Sequence, residues 1–125
     1  MILELTYEEV TALNSAAERM RAGGYGGVAA PPEAIAALDE RLPLEGDIAV
    51  DSAAEQARLL QAMDVVLDHL KERMDALILE QYVGADDPVN AYFDYANVLT
   101  ARHRLVQIGT QLRAVDRIIR DSEPD

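Results

Sequence analysis

Cysteine and tryptophan are absent from this sequence of 125 residues, phenylalanine occurs once, and only Lys71 represents lysine. The missing cysteine excludes disulfides, thiolate metal sites and cysteine nucleophiles in one step. Serine is nearly as scarce. Ser52 reads as a helix cap, Ser122 stands in an acidic tail, and no nucleophile-elbow spacing surrounds Ser15. The two histidines lack the Glu-x-x-His pairing that a carboxylate-bridged metal site in a helical bundle uses, because Val66 and Thr100 stand three residues before His69 and His103. No metal, cofactor or catalytic residue is therefore assigned, and an enzyme is disfavoured. Long hydrophobic runs are missing too. Met1 to Leu5, interrupted by Glu4, is far too short for a signal peptide or a membrane span. A soluble, cytoplasmic protein without a membrane partner is expected. Ten arginines and abundant alanine point to a GC-rich, bacterial coding genome.

Half of the residues are hydrophobic, so a chain of this length can bury roughly two thirds of its unfolded surface around a core. The formal net charge of −12 is unevenly spread. Residues 1–101 carry 19 acids and 6 bases, residues 102–120 carry five arginines against Asp116, and Asp121, Glu123 and Asp125 follow. An acidic surface repels nucleic-acid phosphates and anionic membranes. The basic stretch is better suited to an acidic neighbouring helix.

The pattern of apolar residues predicts an all-α fold over a single domain, residues 1–125. Thr6 and Glu9 form a capping box that opens a first helix, with Val10, Leu13, Ala17 and Met20 inward and Tyr7 and Ala16 beside them. Four glycines within residues 23–27 end it. This loop follows a helix and lacks a phosphate-binding signature, so it reads as a linker or a lid. A second helix starts at Pro32, turns Ile35, Leu38 and Leu42 inward, and ends before Pro43. Residues 48–50 are matched with residues 2–5 as a short β-ribbon, a marginal element on its own. Ser52 and Glu55 form a second capping box for a long helix over about 52–83, whose apolar face runs from Leu59 to Ile78. Asp87 and Pro88 begin another over about 87–121. The short link makes these two an antiparallel hairpin, covered by the N-terminal part, residues 1–50. Residues 122–125 form the acidic tail.

The last helix carries two stripes, both at steps of three and four. Val89, Tyr92, Ala96, Leu99, His103 and Val106 form one, with His103 expected to be hydrogen-bonded in the interior. Leu105, Ile108, Leu112, Val115 and Ile119 form the other, roughly 180° away, with the spacing of a coiled-coil seam. One helix cannot bury both against a single neighbour. The second stripe is the expected oligomer interface, and the first is expected to be covered at home. Arg102, Arg113, Arg117 and Arg120 lie within about 60° of one another and form a ridge. That ridge is expected to face acids of the preceding helix, where Glu55, Asp64 and Asp68 lie, or those of a second copy.

Tyr82, Tyr92, Phe93 and Tyr95 crowd the hairpin tip, and three neighbouring aromatics on one turn cannot share one core. At least one should face a partner, a groove or a ligand. Three functions follow. The first is a non-enzymatic helical interaction or regulatory module acting as a homodimer or higher homo-oligomer, with another protein as a further partner. The second is a small-molecule binder with a pocket between the hairpin and the short helices, lined by Tyr82, Tyr92 and Met74. The third is an anion or nucleic-acid contact through the arginine ridge, disfavoured because no aromatic stands beside those arginines.

Overall fold

A computed structural model describes residues 1–22, 32–39, 42–79 and 87–122. Its elements follow in the order β1 (Ile2–Leu3), α1 (Tyr7–Arg21), α2 (Pro32–Asp39), β2 (Ile48–Ala49), α3 (Ala53–Leu79) and α4 (Asp87–Ser122). The fold is all-α, with an antiparallel ribbon that pairs Ile2 with Ala49 and Leu3 with Ile48. The glycine loop, the hairpin link and Tyr82 lie outside the described residues.

Both expected caps form. Thr6 Oγ1 accepts the Glu9 N–H at 3.1 Å, and the Glu9 carboxylate accepts the Thr6 N–H at 2.7 Å. At α3, Ser52 Oγ accepts the Glu55 N–H at 3.1 Å, while the Glu55 carboxylate reaches one residue further back, to the Asp51 N–H. The Thr6 and Ser52 hydroxyls each satisfy a backbone donor that the first helical turn leaves without a partner, and the two glutamates tie down the backbone that leads into the helix.

The buried cluster joins Leu3, Leu13, Ala16, Ala17 and Met20 with Leu38, Leu59, Met63, Val66 and Leu70. Tyr7, expected beside this core, is instead exposed. From α4 the cluster takes Val98, Ala101, Leu105 and Ile108, with Tyr95 and Leu112 half-buried against it. The home face of α4 is thus not the expected one. Tyr92 and Leu99 are 60% and 42% exposed, and His103 is exposed as well, its Nε2 lying 3.3 Å from Gln107 Nε2. The interior uses the arc that holds Ala91, Val98, Ala101 and Gly109, because small side chains let neighbouring helices approach closely. Gly109 shows this directly. A Cβ there would stand 2.6 Å from the Gln56 side chain, whose Nε2 reaches the Leu105 carbonyl at 3.5 Å.

Polar contacts fix how the helices sit. Arg102 Nε donates to Asp64 Oδ1 at 2.6 Å, tying α4 to α3. Arg19 on α1 lies 3.7 Å from Asp94 on α4. Beside Arg19 and Arg73, His69 is held below its ordinary pKa, first by burial and then by the two guanidinium charges. The unfolded chain therefore takes up a proton that the folded chain resists. Stability is full above the ordinary histidine value of 6.5 and falls as pH drops through it toward the lower folded value. Thermal melting is expected to decline from pH 7 to pH 5, and His69→Gln is expected to flatten that decline. An equal slope in wild type and variant would contradict this assignment.

A candidate interaction surface on α4

The covered face of α4 fixes by rotation what its opposite face presents. Tyr92, Ala96, Leu99, His103, Val106 and Thr110 recur at steps of four and three, the heptad spacing of a helix–helix seam. Phe93, Thr100, Gln107, Gln111 and Ala114 flank this row. No aspartate, glutamate, lysine or arginine stands on that arc from residue 92 to residue 111, in a chain that is 27% charged, and Arg113 is the first charged residue to continue the row. All of these residues are exposed except Ala96 and Val106, which are half-buried. Such a face, roughly 28 Å long at 1.5 Å per residue, combines loss of charge with aromatic enrichment. That pairing marks the centre of protein interfaces rather than ordinary solvated surface.

The aromatic tip divides unevenly. Tyr92 and Phe93 are 60% and 58% exposed, and their rings meet edge to face with centroids 6.1 Å apart. Tyr95, a turn further round, packs against the core and is half-buried. Met74 is also half-buried.

The expected interface stripe is split by the fold. Leu105 and Ile108 are core residues of the single chain, Leu112 is half-buried, and Val115 and Ile119 are exposed. The change falls where α3 begins. Gln56, one turn into α3, lies against Leu105 and Gly109, so α4 from about residue 113 projects past the start of its neighbour. Over this projection Arg113, Arg117 and Arg120 are exposed and share an open hollow with Asp121. Arg102, at the other end of the ridge, carries the contact with Asp64, an acid that the sequence singled out for that role.

One feature escaped the sequence reading. Glu9 is 1% exposed, and besides its cap it accepts hydrogen bonds from Thr100 Oγ1 at 2.7 Å and from Arg104 Nη2. Arg104 also donates to the Glu4 carbonyl at 3.1 Å. Burial pushes the Glu9 carboxyl up, but the Thr6, Thr100 and Arg104 contacts together outweigh it and hold it below its ordinary value. With every oxygen occupied, this carboxylate acts as a lock between α1 and α4.

Among the described residues, no group of three or more histidines and carboxylates is placed to hold a metal ion, and no helix is long and apolar enough to cross a membrane. Comparison with protein-family models, curated proteins and solved structures gives no match. The functional reading therefore rests on the geometry of α4.

Proposed function

We propose that the protein is a non-enzymatic helical interaction module that works as a homodimer in the cytoplasm, with the two copies joined through the outer faces of α4. The uncharged heptad row from Tyr92 to Thr110 carries this reading. Each copy bears a net charge of −12, so two copies repel over most approaches. The outer face of α4 meets its own image without opposing charges.

Antiparallel pairing about a two-fold axis near Ala101 also matches side-chain sizes. It sets Tyr92 opposite Thr110, Ala96 opposite Val106, and Leu99 opposite His103. Parallel pairing stacks Tyr92 on Tyr92 and leaves Ala96 facing Ala96, so volume is crowded in one layer and missing in the next. The resulting core is four-helical, with α3 and α4 from each copy, as in bundles whose neighbours cross at small angles.

The natural absence of cysteine makes a direct test available. The double variant Leu99→Cys, His103→Cys is expected to form an intermolecular disulfide under mild oxidation, and peptide mapping is expected to join position 99 of one copy to position 103 of the other. Lys71→Cys, on the exposed side of α3, serves as the control and is expected to stay uncrosslinked at the same protein concentration. Equal crosslinking of both variants, or none in either, contradicts the proposed seam.

A further inference from the structure

We infer that the region where α1, α3 and α4 meet around Arg19 and His69 is a binding site for a small oxyanion, a phosphate or a carboxylate group. Arg19 on α1 is the key residue. Its Nε and Nη2 are buried and make no hydrogen bond among the described residues, and the same holds for His69 Nε2 on α3. Those two guanidinium nitrogens form one edge of the group, the fork that grips two oxygens of a carboxylate or phosphate side by side. Elsewhere the chain fills that edge itself. Arg21 donates from Nε to Asp39 at 2.8 Å and from Nη2 to the Leu42 carbonyl at 3.1 Å. Arg104 donates from Nε to the Glu4 carbonyl and from Nη2 to Glu9. Arg19 buries the same edge with no acceptor on it.

Charge points the same way. Arg19 and Arg73, the latter one turn after His69 on α3, both act on His69 through their charges, and Arg73 acts on Arg19. Burial first, and then the Arg73 charge, hold the Arg19 guanidinium below its ordinary value. The acid that acts on Arg19 is Asp94 on α4, whose Oδ2 stands 3.7 Å from Arg19 Nη2, beyond a hydrogen bond. A water molecule supplies an acceptor atom but no charge, whereas an oxyanion supplies both. A metal cation is repelled by the guanidinium groups. Because the donors are buried, a nucleic-acid backbone or a membrane surface has no approach, and the ligand is a small ion or the charged end of a small molecule. The site lies on the inner side of α4, away from the row from Tyr92 to Thr110, so it does not depend on the dimer.

The test uses the isotope-labelled full chain and follows the arginine Nε–H resonances by NMR as inorganic phosphate or acetate is added at constant ionic strength. The Arg19 resonance is expected to shift saturably with at least one of the two, and the tighter binder identifies the group. Arg19→Lys keeps the charge but loses the fork. It is expected to weaken binding, read from neighbouring backbone amides, roughly tenfold. Asp94→Asn removes the negative charge beside the fork and is expected to tighten binding roughly threefold. Arg117→Gln, on the exposed end of α4, is the control and is expected to bind as wild type does. No saturable shift with phosphate or acetate overturns the inference, as does equal affinity in wild type and Arg19→Lys. Loss of binding in Arg117→Gln assigns the anion to the outer ridge and overturns it too. If Arg19→Lys fails to fold, Asp94→Asn decides alone, because only an anion in the fork turns its loss of charge into a gain of affinity. Unchanged or weaker binding in Asp94→Asn, with a lower melting temperature in the absence of added anion, makes Asp94 the fork's own acceptor and overturns the inference.

Discussion

Glu9→Ala is expected to destabilise the fold by about 3 kcal/mol, the lower end of what breaking one side of a buried ion pair costs. The side chain is 1% exposed and joins three donors, on Thr6, Thr100 and Arg104. Its removal opens a cavity, takes away half of a capping box and leaves the Arg104 guanidinium without its carboxylate. The loss stays at the lower end because the Arg104 side chain is 37% exposed and regains water. Glu9→Gln keeps the shape and is expected to lose less. The folded carboxyl lies below its ordinary value of 4.5, so its contribution is full above that pH and disappears as pH falls through the folded value. Urea unfolding of both variants at neutral pH checks the ranking. Wild-type stability in Glu9→Ala would show that the lock contributes nothing.

Leu99→Glu is expected to have the largest effect on assembly and a small one on the single chain. Within one copy Leu99 is 42% exposed, so the fold does not depend on it. At the proposed seam it sits in a central layer opposite His103, and two-fold symmetry doubles the change. Two carboxylates brought into an apolar seam are expected to weaken association by roughly 100-fold or more. The helix content and melting of the resulting monomer should match those of wild type measured at concentrations low enough to dissociate it.

Much of this architecture is legible in the residues themselves. Thr6 with Glu9 and Ser52 with Glu55 announce two helix starts through local chemistry; the first box closes fully, and in the second Ser52 caps Glu55 while the Glu55 carboxylate takes the Asp51 N–H instead of that of Ser52. The match of residues 2–5 with 48–50 and the helical hairpin are expected from the sequence as well, while the register of Ile2 with Ala49 and Leu3 with Ile48 comes from the structure. The home face of α4 is not legible in that way. Ranking positions by side-chain size favours Tyr92 and Leu99, whereas the fold buries Ala91, Val98 and Ala101 because close helix approach rewards small residues. The partners of Glu9 stand 91 and 95 residues away in Thr100 and Arg104, a separation that no local pattern spans. His69 on α3 feels the charge of Arg19 on another helix, which only the packed structure reveals. The arginine ridge is an intermediate case. Its geometry and one acidic partner, Asp64, come from the sequence, but the point at which α3 stops covering it does not.

The uncharged face of α4 was also present in the sequence as a row of apolar and neutral residues. Its meaning depended on knowing which side of the helix the rest of the chain covers. Once Ala101 and Leu105 are placed inward, the row from Tyr92 to Thr110 has no partner among the described residues, and a second copy is the occupant that its neutrality and alternating sizes fit.

Sedimentation equilibrium at micromolar concentration tests that claim most directly. Wild type is expected to sediment at twice the chain mass of 13.7 kDa, and Leu99→Glu at the mass of one chain with its helices intact. A wild-type mass of 13.7 kDa at every concentration, or a dimer that persists unchanged in Leu99→Glu, contradicts the account.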